Sequence, residues 1–219
     1  MTEWWNLNSL LPFKAHSSII ISGSTGCGKT RLLHRILKDR EGIWDEKPNK
    51  IVYCYGIWQK KCIQIEKDIP DILFHSGLPS LDDIDSWSSN HTLVILDDLM
   101  QEVTANPITQ KIFTMGCHHR SLSCIFITQN VFHQGKFARG ITLNATYLIL
   151  FENIRDSSEV QRLAQQLFPR KSKSFIHAYR DIMKTSFGYM VIDMNPQADN
   201  KYRVRTRIFP GDDTHVYLL

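Results

Sequence analysis

The segment that most restricts how this chain can fold is residues 23–30, whose letters read GSTGCGKT. It fits the pattern GxxxxGK[ST], and it stands between an apolar run, Ser18–Ser22, and a helical pattern over residues 28–38. Glycines let backbone N–H groups wrap around phosphates, and a helix N-terminus adds the positive end of its dipole. We therefore predict a phosphate-binding loop for a nucleoside triphosphate, formed by Gly23, Ser24, Thr25, Gly26, Cys27, Gly28, Lys29 and Thr30.

The residue types within this loop indicate separate roles. Lys29 is expected to reach the outer phosphates, and the hydroxyl of Thr30 is expected to bind Mg²⁺. The side chain of Cys27 is not expected to touch phosphate, and we interpret it as a small filler of the loop and not as a redox switch.

Short apolar runs of the kind that parallel sheets bury recur along the whole chain. Besides Ser18–Ser22, they lie at residues 51–55, 72–75, 93–96, 124–128, Tyr147–Phe151 and 189–192. Helical patterns separate several of them, at residues 28–38, 107–117 and 156–168. Because strands that alternate with helices form parallel sheets, we predict an α/β fold, with a mostly parallel sheet flanked by helices.

The C-terminal part of the chain has a different pattern. In residues 202–209, arginines alternate with uncharged residues, in the order Arg203, Val204, Arg205, Thr206, Arg207 and Ile208. A period of two with charge on one side is typical of a strand that is exposed on one face. We therefore predict a half-exposed C-terminal edge strand that closes one edge of the sheet.

Length and composition are those of an ordinary globular protein. The 219 residues predict a single domain over 1–219, and 42% hydrophobic with 22% charged residues excludes disordered, collagenous and coiled-coil classes. No apolar run approaches the roughly 20 residues that span a bilayer, and residues 1–11 lack a signal-peptide pattern, so we expect a soluble, non-secreted protein.

Five cysteines without a CxxC pair favour neither a disulfide framework nor a zinc ribbon. The net charge of +4 permits a polyanionic partner without identifying one.

Two adjacent carboxylates follow a buried run. Residues 93–96 are followed by Asp97 and Asp98, and the carboxyl ends of strands are where open α/β sheets bind their ligands. Asp97 is expected to hold Mg²⁺ through its water shell, and Asp98 to orient the attacking water. Glu102 is the alternative water-activating base.

A second polar strand end supplies a candidate sensor. The run 124–128 ends at Gln129, whose amide could detect the γ-phosphate if this strand lies between the loop strand and the acidic strand. Arg120 precedes that run at the end of a predicted helix. We interpret it either as an arginine that completes the site of a neighbouring subunit, since the phosphate site shows no second cation besides Lys29, or as a cation at a helix C-terminus.

Several segments together resemble a known family. They are GSTGCGKT at 23–30, LVILDDLM at 93–100, HHRSLSCIFITQNVF at 118–132, LILFENIRDSSEVQRLAQQLFP at 148–169, FGYMVID at 187–193 and IFPG at 208–211. In this combination the chain resembles the viral genome-packaging ATPases of the FtsK/HerA superfamily. The likeness is greatest to those of Polinton-like elements and adintoviruses, which are related to the poxvirus packaging ATPases.

The resemblance implies a RecA-like (ASCE) P-loop NTPase fold with ATP and Mg²⁺ as cofactors. It implies that Asp97 is the Walker B aspartate, that Asp98 activates water and that Gln129 is the sensor. Many superfamily members have Glu at the position of Asp98, so a shorter side chain must reach the water here. Arg120 is implied as the trans-acting arginine, with Arg155 as the second candidate.

The resemblance also implies partners. Such motors move double-stranded DNA into a preformed capsid, so it implies a homo-oligomeric ring at a viral capsid or portal vertex, inside the host cell and without a membrane. Basic residues available to contact the DNA backbone, or simply to form a solvated surface, are Lys136, Arg139, Arg170, Lys171 and Lys173. Two alternative functions are a HerA-like DNA translocase in replication or transfer, and a nucleotide-gated assembly protein without rapid turnover.

Overall fold

The structure is a computed structural model, and it describes residues 11–113, 121–132, 136–154 and 156–219. In these segments the strands are β1 Ser18–Ser22, β2 Lys50–Tyr55, β3 Ile72–Ser76, β4 Thr92–Asp97, β5 Leu122–Thr128, β6 Tyr147–Phe151, β7 Tyr189–Asp193, β8 Val204–Thr206 and β9 His215–Val216. The helices are α1 Lys29–Lys38, α2 Arg40–Ile43, α3 Lys60–Asp68, α4 Leu81–Ser86, α5 Met100–Ala105, α6 Pro107–Lys111, α7 Ala138–Leu143, α8 Ser157–Leu167 and α9 Ser172–Met183.

The strands form one nine-stranded sheet in the order β3-β2-β4-β5-β1-β6-β7-β8-β9. Strands β1 to β6 pair in parallel, and β7, β8 and β9 add to the β6 side in antiparallel pairs. Strand β5 lies between β1 and β4, as expected for a strand that carries a sensor between the phosphate loop and the carboxylates. The carboxyl ends of β1, β4 and β5 therefore meet at one edge of the sheet, where α/β proteins bind ligands.

The central strands are buried on both faces because their sequences are continuous apolar runs. In β1, Ile20 packs into the layer beneath α8 and α9, whereas Ile19 and Ile21 pack into the opposite layer with α1. This alternation follows from the period of two in a strand. Helices therefore cover the sheet on both faces.

The sequence-based elements are largely confirmed. Strands β1 and β6 have the predicted bounds, and the strands predicted at 51–55, 72–75, 93–96, 124–128 and 189–192 differ by at most two residues at either end. Helix α1 begins at Lys29 after Gly28, and α8 begins after Asp156, whose side chain accepts a hydrogen bond from the Glu159 N–H at 3.1 Å. Of the helix predicted over residues 107–117, the structure describes α6; residues 114–120 lie outside the described part.

The prediction of a half-exposed edge strand over residues 202–209 is wrong in two respects. Strand β8 is confined to Val204–Thr206 and is covered by β9, which ends the sheet. Arg205 is only 2% exposed. Its guanidinium donates to the Tyr202 carbonyl at 3.1 Å and lies 3.6 Å from the Asp193 carboxylate. The arginine can be buried because this acidic partner, which comes from another strand, balances its charge.

Candidate nucleotide-binding site

The phosphate loop runs from the end of β1 into α1. Gly28 adopts a left-handed conformation, with φ of 112°, directly before the first helical residue. A side chain would be strained there, which explains glycine at this position. The Ser24 hydroxyl donates to the carbonyl of Glu152 at 3.1 Å, which fastens the loop to the end of β6. The conformation of Gly28 at one end of the loop and the Ser24 hydrogen bond near the other end thus define the shape of the loop.

Lys29 is turned back onto its own loop. Its ammonium group donates to the carbonyls of Gly23 at 2.7 Å and Ser24 at 2.8 Å. Burial lowers the pKa of Lys29, and the nearby Cys27 and Asp97 oppose that shift. Burial also raises the pKa of the Cys27 thiol, which agrees with a neutral filler of the loop.

Asp97 is a buried carboxylate at the end of β4, with a side chain only 6% exposed. Its Oδ2 accepts a short hydrogen bond from the hydroxyl of Tyr53 and lies 2.7 Å from the ammonium of Lys61. Burial and the Asp97 charge together raise the pKa of Tyr53 far above its usual value, so the phenol stays protonated as a donor. Asp97 is therefore fixed by two groups from the neighbouring β2–α3 segment.

Asp98 has the opposite environment. Its backbone is left-handed, with φ of 60°, a conformation that aspartate tolerates better than most residues, and its side chain is exposed. Its Oδ2 accepts from the Gln59 amide at 3.2 Å. A Cβ on Gly56 would come within 2.3 Å of the Asp98 carbonyl oxygen, so only glycine allows this approach. Of the two adjacent carboxylates, Asp97 is therefore buried and Asp98 faces solvent.

One cleft of about 680 Å³ gathers most of the predicted groups, but Gly23, Ser24 and Cys27 of the loop do not line it. Its lining includes Thr25, Gly26, Gly28, Lys29 and Thr30 of the loop, Asp97, Asp98 and Glu102 of the acidic segment, and Gln129 after β5. Both candidate bases, Asp98 and Glu102, thus face the same cleft. Arg120 and Arg155, the two candidate trans-acting arginines, lie outside the described residues.

Sequence reasoning missed several polar residues around this cleft. Lys61 and Arg31 also line the cleft, which corrects the expectation that the phosphate site has no cation besides Lys29. Lys61, Gln59 and Tyr53 all belong to β2 or to the segment that follows it. The signal that could have located them is the rule that residues after a parallel strand lie at the ligand edge of the sheet.

A buried carboxylate links the strand ends behind the cleft. Glu159 is 4% exposed, and its Oε1 accepts from the Val131 N–H at 2.6 Å and from the Ser22 hydroxyl at 3.3 Å. Its Oε2 accepts from the Asn153 amide at 2.8 Å, and that same amide lies 3.4 Å from the Gln129 carbonyl. Glu159, also missed from the sequence, therefore ties the phosphate-loop strand to the candidate sensor.

The cleft offers oxygen ligands for Mg²⁺ and no closed metal cage. The hydroxyl of Thr30 and the carboxylate of Asp97 are hard oxygen donors, which suit Mg²⁺. Among the described residues no group of three or more His, Cys, Asp or Glu side chains could hold a metal ion. Mg²⁺ usually binds through one or two protein oxygens together with waters and substrate phosphates, so the donor set fits a metal that arrives with a nucleotide.

The basic residues considered as DNA contacts are all exposed, and they are Lys136, Arg139, Arg170, Lys171 and Lys173. Of these, Lys171 donates to the Leu219 carbonyl at 2.5 Å. Exposure suits a nucleic-acid contact and an ordinary solvated surface equally. In the described part of the chain, no helix is long and apolar enough to cross a membrane.

The sheet order, the loop and the cleft together define a mixed α/β protein with a P-loop NTPase fold, which confirms the predicted fold class. No family model matches the chain, and no curated protein matches it. Among solved structures, the chain is similar to the genome packaging NTPase B204 from Sulfolobus turreted icosahedral virus 2 in complex with ATP-gammaS. The TM-score is 0.54 at 14% sequence identity, and the match covers 93% of this chain and 98% of that one. At this identity the similarity shows the fold alone.

Proposed function

We propose that this protein is an ATP-hydrolysing motor that moves double-stranded viral DNA into a preformed capsid. The observation that carries the proposal is the cleft that brings Lys29 and Thr30 together with Asp97, Asp98 and Gln129. The structural neighbour supports it, because that protein is a genome packaging NTPase in complex with ATP-gammaS and the two chains are nearly coextensive. The likeness to Polinton, adintovirus and poxvirus ATPases remains a sequence-based prediction.

Nucleotide binding requires Lys29 to change partners. Its ammonium group now contacts the carbonyls of Gly23 and Ser24, and the phosphates of ATP would replace those neutral acceptors. A charged acceptor makes a stronger hydrogen bond than a carbonyl, so the exchange favours the bound state. Thr30 and Asp97 would hold Mg²⁺, which neutralises phosphate charge when it is bound.

Hydrolysis requires a group that orients water against the γ-phosphate. Asp98 is exposed to the cleft and is fixed by Gln59, so it is the first candidate for this role. Glu102 lines the same cleft on α5 and is the alternative. Gln129 would contact the γ-phosphate, and its backbone is tied through Asn153 to Glu159. Loss of the γ-phosphate would therefore be sensed at the strand ends behind the cleft.

The DNA partner follows from the proposed motor activity. Exposed basic residues such as Lys136, Arg139, Arg170, Lys171 and Lys173 would contact backbone phosphates in a homo-oligomeric ring. An arginine from a neighbouring subunit, either Arg120 or Arg155, would complete each site. The motor would act at a viral capsid or portal vertex inside the host cell.

The proposed function is tested by DNA-stimulated ATP hydrolysis across a salt titration. A motor that grips backbone phosphates should be stimulated by any duplex sequence, and the stimulation should fall steeply with salt because binding releases counterions. Protection of DNA from nuclease by capsids in the presence of ATP separates packaging from other DNA transfer. Hydrolysis that ignores DNA at every salt concentration would favour a nucleotide-gated assembly protein instead.

A further inference from the structure

One cation of the cleft, Lys61, belongs to an element that the phosphate-loop motif does not include. Lys61 lies in the first turn of α3, which follows β2. In the sheet, Tyr55 at the end of β2 is in register with Asp97 at the end of β4, so α3 begins beside the acidic strand end. The Lys61 ammonium lies 2.7 Å from Asp97 Oδ2, and its side chain is 24% exposed.

This ion pair meets an electrostatic requirement of the fold. Asp97 is almost fully buried, and a buried carboxylate is costly unless it is paired and hydrogen-bonded. The Tyr53 hydroxyl supplies a hydrogen bond, but only Lys61 supplies an opposite charge in direct contact among the described residues. Mg²⁺ would bring a second positive charge to the same carboxylate.

Both lysines of the cleft are therefore occupied by protein groups. Lys29 contacts loop carbonyls, and Lys61 contacts the carboxylate assigned to the metal. The segment that leads into α3 also holds the other acid, because the Gln59 amide donates to Asp98 at 3.2 Å. The β2–α3 segment thus positions both carboxylates.

We propose that Lys61 is a positioning residue that serves as the resident counter-cation of Asp97 and competes with the divalent metal. In the absence of metal it stabilises the buried carboxylate and keeps it directed to the cleft. Mg²⁺ held by Asp97 would repel the Lys61 ammonium group, so each cation would lower the affinity of the carboxylate for the other. This inference rests on the proposed nucleotide site and assigns a regulatory role within it.

Competition between Lys61 and the metal for Asp97 predicts two opposite effects in a variant that lacks the Lys61 charge: tighter metal binding and lower stability without metal. Lys61→Met keeps an unbranched chain of similar length but removes the ammonium group. The metal no longer competes with a cation, so divalent affinity should rise, on the order of tenfold, which lies within the usual range of coupling between two sites. The metal-free protein should unfold at a lower temperature, because Asp97 is left buried without a counter-charge.

The test measures Mn²⁺ affinity and metal-free thermal stability in the same proteins. Electron paramagnetic resonance titrates Mn²⁺ in the presence of ADP, and a thermal melt in EDTA reports the metal-free state. Lys61→Met should bind Mn²⁺ about tenfold more tightly and melt earlier in EDTA. Lys60→Met, at the exposed neighbouring position, is the matched control and should behave as wild type. Lys61→Arg retains a cation and should restore both properties.

The outcomes separate this inference from the proposed function. If Lys61→Met leaves both Mn²⁺ affinity and the EDTA melting temperature unchanged, or weakens Mn²⁺ binding, the counter-cation role is wrong although wild-type protein binds Mn–ADP. If wild-type protein binds no Mn–ADP, the proposed function is overturned. If Lys61→Met does not fold, Lys61→Gln also lacks the charge, and its Mn²⁺ affinity and melting temperature in EDTA test the same prediction.

Discussion

The buried carboxylate of Glu159 gives the most specific prediction about this fold. It accepts three hydrogen bonds, one from a backbone N–H and two from side chains, and both of its oxygens are used. Glu159→Gln preserves the shape but leaves only one acceptor oxygen. If that oxygen accepts the hydrogen bonds from Val131 and Ser22, the NH₂ group of the new glutamine faces the NH₂ group of Asn153, and two donors then meet without an acceptor.

Rotation of the Asn153 amide would repair the network only in part. It would turn an oxygen toward the new glutamine, but the hydrogen bond from Asn153 to the Gln129 carbonyl would then be lost. One hydrogen bond to a charged acceptor is removed, and either two amide N–H groups face each other beside residue 159 or the exposed Gln129 loses its 3.4 Å hydrogen bond. We therefore expect Glu159→Gln to lower the free energy of unfolding by about 2 to 3 kcal/mol.

Urea unfolding measures this effect, with Glu152→Gln as the matched control. Glu152 is exposed, and only its backbone carbonyl holds the phosphate loop, so the same substitution there should change the free energy of unfolding by less than about 0.5 kcal/mol. The urea midpoint should shift while the slope stays constant. A Glu159→Gln protein as stable as wild type would refute the argument that the Glu159 charge holds these strand ends together.

Further predictions concern the nucleotide site, one histidine and one arginine. Lys29→Ala should abolish nucleotide binding, whereas Asp98→Asn should bind ATP and lose hydrolysis, as measured by separate binding and turnover assays; near wild-type turnover would transfer the base role to Glu102. Burial, with a smaller contribution from the nearby His16, lowers the pKa of His91, so the unfolded chain binds the proton more readily. The free energy of unfolding should therefore be fully retained above about pH 6.5 and fall as the pH drops below that value, whereas a pH-independent urea midpoint between pH 7.5 and 5.5 would contradict this. Mixed rings of Arg120→Ala and Lys29→Ala subunits should partly recover hydrolysis, because an intact site in the first can receive the arginine of the second; rings that form but stay inactive would make Arg155 the next candidate.

The elements of the sheet could be predicted because their signals are local. Ser18–Ser22 and Tyr147–Phe151 are short, continuous apolar runs between polar residues, and a strand buried on both faces needs no more than that. The phosphate loop is contiguous in sequence for the same reason, since one turn must present several backbone N–H groups to one phosphate chain. Local patterns therefore located the phosphate loop and the acidic strand end of the cleft.

Contacts between distant segments could not be predicted in this way. Arg205 follows a pattern of alternating charge that favours exposure, but Asp193 and the covering strand β9 bury it. Lys61 and Glu159 look like ordinary helix-surface charges, and their roles arise only when sheet order places them beside Asp97 and Asn153. Register and packing decide such residues, and neither is encoded in a short window of sequence.

The central claim, that this chain is a motor acting on duplex DNA, is tested most directly by displacement of a third strand from a DNA triplex. A translocating ring should strip the third strand from a duplex in the presence of ATP, independently of sequence, and Lys29→Ala should not. Displacement that requires ATP hydrolysis and fails in Asp98→Asn is the expected result. Hydrolysis of ATP by the wild-type protein without any strand displacement would contradict the motor.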